Sequence, residues 1–251
     1  MIKCLAADLH THTDVSRHGY STVYEMIVSA KEAGLFAIGI SNHGPAHPDG
    51  APLTHFRNLR EIQNEVESVL VYRGVELNIL DYQGTLDVGA ETIKDRLDYT
   101  IASFHEDVIT PGVETDHTSG YLAVASNPLV DIIGHSGTAS FAYDYERVIP
   151  VFGLYGKVVE INEATFRVRK ESVSNCERIA RLCMKHKVSI IVSSDAHFCK
   201  RVGACEESLR LLNRISFPEE LIVNRSKESL TAWFLEKGKR KGVTNEVLYR
   251  D

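Results

Sequence analysis

Residues 188–197 read Val188-Ser189-Ile190-Ile191-Val192-Ser193-Ser194-Asp195-Ala196-His197. A short β-branched run that is apolar at successive positions suits a strand buried on both faces, as in a parallel sheet. It runs into two metal-ligand types, Asp195 and His197. Their i, i+2 spacing puts both on one face of an extended chain. The same pattern recurs upstream. Apolar runs at 4–9, 36–41, 69–75, 99–104, 130–134 and 157–161 lead into His10-Thr11-His12, Asn42-His43, Glu76, His105, His135 and Glu160-Ile161-Asn162.

Between these runs lie amphipathic stretches at 22–33, 58–68, 172–186 and 204–214, which predict helices. Gly34 is placed to end the first and Ser172 to cap the third. Strand–helix alternation at this rhythm predicts an α/β fold with a parallel sheet. Both a closed barrel and an open doubly wound sheet would satisfy it. No glycine-rich phosphate loop follows the first run, and no linker divides the chain, which favours the barrel and a single domain over 1–251. Residues 221–223 could add a weak eighth strand. The last helix, 226–237, would pack on the barrel, with the basic run 237–241 as a solvated helix end.

In a parallel barrel the C-terminal ends of all strands open on one face, where the active site forms. His10, His12, His18, His43, Glu76, His105, His135, Asp195 and His197 therefore converge, although they span almost 190 positions. One divalent ion takes three or four protein ligands. Nine candidates imply two or three ions, with Glu76 and Asp195 as the natural bridges because a carboxylate has two oxygens. His47, His55, His117 and His186 fall outside the set. His47 and His55 are expected at the surface, with the pocket mouth as the alternative, and His186 at a helix C-terminus, where a cation offsets the dipole.

Composition narrows the class. With 43% hydrophobic and 25% charged residues, the chain reads as an ordinary globular protein. A formal net charge of −6 advertises no surface for extended nucleic acid or anionic membrane. The five cysteines (Cys4, Cys176, Cys183, Cys199 and Cys205) are odd in number and form no CxxC pair, so a disulfide framework is not expected. A reducing cytoplasm fits. Cys176 and Cys183 would be small buried hydrophobes, and Cys199 inert. No signal peptide is indicated, and no apolar run nears the roughly 20 residues that span a bilayer.

The motifs DLHTHT, NHGP, GVE, SFHE, IGH and SSDAH, in that order, resemble the polymerase-and-histidinol-phosphatase (PHP) superfamily, most closely its stand-alone YcdX-type phosphatases. The resemblance covers residues 8–238. It implies a distorted (β/α)7 TIM-like barrel holding a trinuclear metal centre, usually zinc, with iron or manganese as alternatives. By that resemblance His10, His12, Glu76 and Asp195 hold one ion. Glu76, His105 and His135 hold a second, and His18, His43 and His197 a third.

The resemblance also implies a phosphatase that hydrolyses a small phosphoester with a metal-activated water, and a homo-oligomer, a trimer in related proteins. Two departures stand out. Asn42 replaces a usual Asp, expected to orient a ligand, and Ser136 replaces a frequent Pro. The segment 162–176 keeps Asn162, Arg169, Lys170 and Asn175. Arg169 is the expected phosphate clamp and, with Glu76 and Asp195, a catalytic candidate, because its fork suits a tetrahedral oxyanion. Arg17 and Arg201 are weaker candidates. Two other classes compete: a metal-dependent hydrolase of another bond or of a nucleic-acid end, and a non-catalytic metal-binding module.

Overall fold

Each of the seven apolar runs contains a strand in the structure, a computed structural model that describes residue 2 and residues 4–240. They are β1 (Ala7–Asp8), β2 (Ala37–Ile40), β4 (Val69–Arg73) with β5 (Glu76–Asn78), β6 (Ile101–Ser103), β7 (Ile132–Ile133), β8 (Val158–Asn162) and β9 (Ile190–Ser193). A short β3 (Glu65–Val66) precedes β4. The strands form two sheets, ordered β1-β2-β4-β3 and β5-β6-β7-β8-β9. All pairings are parallel except β3 with β4. Two isolated parallel bridges join the sheets, His43 to Glu76 and Thr11 to Ala196. The fold is α/β, as expected.

The helices are α1 (Val23–Glu32), α2 (Leu53–Asn58), α3 (Ala90–Arg96), α4 (Glu114–Ser126), α5 (Tyr145–Leu154), α6 (Thr165–Val168), α7 (Val173–His186), α8 (Glu206–Arg214) and α9 (Lys227–Arg240). Thr22 and Glu25 make a reciprocal capping box at the start of α1, and Gly34 follows its end with a φ of +73°. Alternation along the strands sorts their side chains between two cores. Ile190 and Val192 of β9 join helix residues such as Ile179 and Leu212 in the larger cluster. Ile191 faces the other way, into a cluster with Ala7, Leu9, Ala37, Tyr99, Ile101, Ile132 and Val158. That second cluster draws on strands of both sheets, and Leu230, Trp233 and Phe234 of α9 close it. Burying each such large side chain contributes roughly 2–3 kcal/mol.

Tyr99 packs closely against β2 and the turn between β4 and β5. Tyr99 donates a 2.5 Å hydrogen bond to the Leu9 carbonyl, and its ring lies against the backbone at Gly39 and Gly74. A Cβ would come within 2.1 Å of the ring hydroxyl at Gly39 and 2.4 Å of the ring at Gly74. Only glycine admits that approach.

Four expectations need correction. No single helix covers 58–68. The stretch ends α2, passes through a 3-10 turn at Leu59–Glu61 and enters the β3–β4 hairpin, with Glu67 and Ser68 at positive φ. Tertiary contacts override the local helical pattern: Glu67 is held by Lys31 at 2.7 Å and Tyr24 at 3.0 Å. Residues 221–223 make only a bridge, Ile222 to Ile190. Ser172 precedes α7, but its hydroxyl accepts from the Ala139 amide at 3.0 Å rather than capping the helix. Lys237 is buried against the Asp98 carbonyl and lies 3.4 Å from Asp131, so it is no solvated helix end. Lys241 lies outside the described residues.

Candidate metal centre

The C-terminal ends of the parallel strands bring the sequence-identified side chains together. His10, His12, His43, Glu76, His135 and Asp195 are buried, and His105 and His197 are partly so. Glu76 sits at the middle with no exposed surface. Its Oε1 lies 3.2 Å from His105 Nε2 and 2.9 Å from His135 Nε2. Its Oε2 lies 3.3 Å from His10 Nε2, 3.6 Å from His12 Nε2 and 2.7 Å from His43 Nδ1. The two carboxylate oxygens thus face two different groups of imidazoles. Asp195 Oδ1 joins one of them, 3.3 Å from His12 Nε2 and 3.7 Å from His10 Nε2.

These separations suit a metal ion. Donors at about 2.0–2.1 Å from a tetrahedral zinc ion lie about 3.3–3.4 Å apart, from simple geometry. The four separations among His10, His12, Glu76 and Asp195 run from 3.3 to 3.7 Å. His10 Nε2, both nitrogens of His12, His43 Nδ1, Glu76 Oε2 and His197 Nε2 are buried without a hydrogen-bond partner. Native interiors seldom leave so many polar atoms unsatisfied in one place, and an ion supplies the missing partner. Donor atoms fall within 4.8 Å of one another in three sets: His10, His12 and Glu76; His43, Glu76 and His105; and His12, His43 and His197.

A supporting shell settles which nitrogen four of the rings offer. His10 Nδ1 lies 2.6 Å from Glu160, His105 Nδ1 2.7 Å from Asn78 Oδ1, and His197 Nδ1 3.1 Å from the Asp195 carbonyl. Each partner accepts, so Nδ1 carries the hydrogen and Nε2 keeps its lone pair for a ligand. His18 follows the same rule through Asp49 at 3.2 Å. Its ring stacks on His197 at 4.5 Å, yet it lies outside the three tight sets, which His12 enters instead.

Charge reinforces the arrangement. Burial alone would lower the His10 pKa, but Glu160, Glu76 and Asp195 hold it well above the ordinary value. Burial would raise Glu76 and Asp195, but surrounding imidazoles, with Arg169 beside Asp195, keep both well below the carboxylate range. Burial and the neighbouring imidazoles of His197 and His43 drive His12 well down, and burial takes His43 to about 3 despite Glu76. The site is thus a set of carboxylates facing mostly neutral imidazoles, the protonation state that divalent ions require. Asp195 itself takes a left-handed φ of 54°, a costly backbone state of the kind that collects at functional sites.

Several residues outside the expected ligand set shape the site. Glu160 is buried and binds His10, the His135 amide at 2.6 Å and the Ser193 hydroxyl. An acid inside the apolar run 157–161, two residues from Val158 on the same strand face, was the available signal. Asp8 accepts from the Ser194 amide and hydroxyl and the Gly203 amide, tying β1 to the loop that carries Asp195. His47 is not at the surface. It is buried and stacks on His43 at 4.3 Å. His55 is half-buried behind the site, 3.1 Å from Asn42 Nδ2. Asn42 binds no ligand ring directly. It accepts from the Thr13 amide at 2.8 Å and the Ser16 hydroxyl at 3.0 Å, fixing the loop after His12. Ser136 is buried and accepts from Tyr143 at 3.2 Å. Arg169 contacts Asp195 and Asn162, both at 3.0 Å, and lines the cleft. Arg17 and Arg201 are exposed. His117 is satisfied by Gly112 and Ala142, and His186 ends α7. All five cysteines are unpaired, with Cys176 and Cys183 buried.

His55 supplies a pH test independent of the ligands. Burial holds its pKa down, from 6.5 to about 4. The unfolded chain therefore takes up the proton first on acidification. The stabilisation is complete above 6.5 and is lost progressively down to about 4, roughly 3 kcal/mol in all. Denaturant unfolding at pH 7 and 4.5 should show a smaller pH loss for His55→Gln than for the wild type. Equal losses would remove His55 as the cause.

The PHP domain profile matches residues 8–164. The chain belongs to the PHP family. This PHP chain is 39% identical to a probable phosphatase of Caldicellulosiruptor saccharolyticus, over 94% of this chain and 98% of that one. It is also 39% identical to a probable phosphatase of Clostridium botulinum, over 94% and 97%. Among solved structures it resembles histidinol phosphate phosphatase from Lactococcus lactis, crystallised with zinc, L-histidinol and phosphate. That match has a TM-score of 0.59 at 15% identity, covering 86% of this chain and 95% of that one. A chain of archaeal ribonuclease P, seen with mature tRNA, matches with a TM-score of 0.56 at 14% identity, over 92% and 91%. These two likenesses concern the fold. Among the described residues, no helix is long and apolar enough to cross a membrane.

Proposed function

We propose that the chain is a metal-dependent phosphatase that hydrolyses a small phosphomonoester or related phosphoester at a trinuclear centre. The observation that carries this reading is Glu76, one buried carboxylate whose two oxygens face two separate imidazole groups. Curated relatives named probable phosphatase support the reaction class. We assign His10, His12, Glu76 and Asp195 to one ion, Glu76, His105 and His135 to a second, and His18, His43 and His197 to a third. The imidazole-rich set suits zinc, with iron or manganese as alternatives. When bound, such ions polarise phosphoryl oxygens and activate a water molecule.

The chain's own residues hold that chemistry in place. Glu160, Asn78 and Asp49 orient His10, His105 and His18. Phe104 and Phe141 wall a cleft of about 570 Å³ whose lining includes His43, His105, His135, Arg169 and Asp195. Arg169 is assigned to phosphate oxygens through the N–H groups not committed to Asp195 and Asn162.

The two bridges between the sheets, and the core they share, support a closed, distorted (β/α)7 barrel forming one domain. Unpaired cysteines suit a cytoplasmic protein, and the family resemblance suits a homo-oligomer.

The test is a substrate panel on the metal-loaded protein: an aryl phosphate, an alkyl phosphate, a phosphodiester and an amide. Turnover of the phosphomonoesters is expected. Turnover of the amide alone, or bound metal with no turnover of any phosphoester, would sink the phosphatase reading.

A further inference from the structure

His47 stands apart from the other histidines of the cleft. It lies on the loop after β2, outside the expected ligand set, yet its ring is buried among ligands. It stacks on His43 at 4.3 Å and 10°, and lies 5.3 Å from His105 and 5.6 Å from His18 between centroids. It also lines the open cleft.

Its hydrogen bonding is the reverse of theirs. The Asp49 backbone amide donates to His47 Nδ1 at 3.1 Å. A backbone amide can only donate, so Nδ1 must hold a lone pair. In a neutral ring the hydrogen is then on Nε2. His10, His105, His197 and His18 have Nδ1 beside an acceptor and leave Nε2 free to coordinate. His47 presents Nε2–H, and coordination there would require an imidazolate. The nearest carboxylate to Nε2 is the exposed Asp107 at 3.9 Å, beyond hydrogen-bond reach.

We propose that His47 is a substrate-binding residue that donates its Nε2–H to an oxygen of the bound phosphoryl group. The inference rests on the phosphatase reading above. The Asp49 amide fixes the tautomer, and the stack on His43 fixes the ring. His47 lines the same cleft as His43, His105 and His135, so a phosphoryl group seated on the ligand cluster shares that cleft with the donor. Arg169 is already drawn toward Asp195 and Asn162, so a second donor lining the same cleft shares the anion's charge.

Two variants separate the donor from the ring. His47→Phe keeps a ring to stack on His43 and removes the donor. His47→Gln loses the ring but places an N–H at about the same reach. Each metal-loaded protein is assayed on p-nitrophenyl phosphate with inorganic phosphate as inhibitor, and its metal content is measured. Phosphate binding is also followed by calorimetry.

For His47→Phe the KM and the phosphate inhibition constant should rise about tenfold, the worth of one hydrogen bond to a charged group. Metal content should be unchanged, and His47→Gln should recover most of the loss. A wild-type phosphate affinity in His47→Phe would overturn the proposal. A lost metal ion would do the same, since it would make His47 a ligand. Should His47→Phe fail to fold, a weakened phosphate affinity in His47→Gln equal to that of His47→Ala would also overturn it. Wild-type protein that binds phosphate but hydrolyses no phosphoester would sink the phosphatase reading while the binding comparison still decides the role of His47.

Discussion

Replacing Glu76 by alanine is expected to lower turnover by about a thousandfold or more, roughly 4 kcal/mol of lost transition-state stabilisation. No other carboxylate in the site faces as many imidazoles. Oε1 serves His105 and His135, while Oε2 serves His10, His12 and His43. Alanine leaves five imidazoles around a void and removes the carboxylate that lies between their two groups. Loss of at least one bound ion per chain should accompany the loss of rate. Glu76→Gln separates shape from charge. It fills the same volume but turns one oxygen into an amide nitrogen that cannot coordinate, so it too should lose metal. Metal analysis and steady-state rates on an aryl phosphate check both. A Glu76→Ala protein with full metal content and near-normal turnover would refute the bridging assignment.

Stripping the metal should have a comparable effect on rate and a second effect on stability. Chelator-treated protein is expected to lose about 99.9% of its turnover, and to regain it on addition of zinc, iron or manganese. It should also unfold more readily. A ligand that binds only the folded chain stabilises it by about 2.7 kcal/mol when present at a hundredfold its dissociation constant. The ion-free site must keep Glu76, Glu160 and Asp195 buried, with His10 as the proton-bearing partner. Taking charges out of water is costly unless they are well paired. Thermal unfolding with and without chelator measures the difference. A stripped protein with undiminished turnover would remove metal from the reaction. An unchanged midpoint would show that the ions contribute nothing to folding.

Much of this centre was legible in the sequence because its physics is local. A β-branched run buried on both faces announces itself by composition, and the residues just after it lie at a strand end. Once the strands are parallel, their ends share a face, and His10, His12, His43, Glu76, His105, His135, Asp195 and His197 meet without further assumption. The helix at 22–33 was equally plain, since Thr22, Glu25 and Gly34 punctuate it. The stretch 58–68 misled because its apolar spacing is helical, while its conformation is set by pairing with β4 and by Lys31 and Tyr24 gripping Glu67.

What tertiary structure alone decided concerns hydrogens and neighbours. Spacing cannot say which nitrogen of a ring is free. That choice came from Glu160, Asn78 and a backbone carbonyl beside the ligands, and from a backbone amide beside His47. The same holds for Arg169, whose sequence position suggested a free clamp and whose guanidinium contacts Asp195. The sequence by itself determined which strand-end side chains reach the metal face, because strand period and direction are properties of the chain; His47, on a loop, was not among them. Which of them donate, accept or coordinate was decided for His10, His105 and Arg169 by partners 26 to 150 residues away, which only folding brings into contact, and for His197 and His47 by backbone groups two residues away.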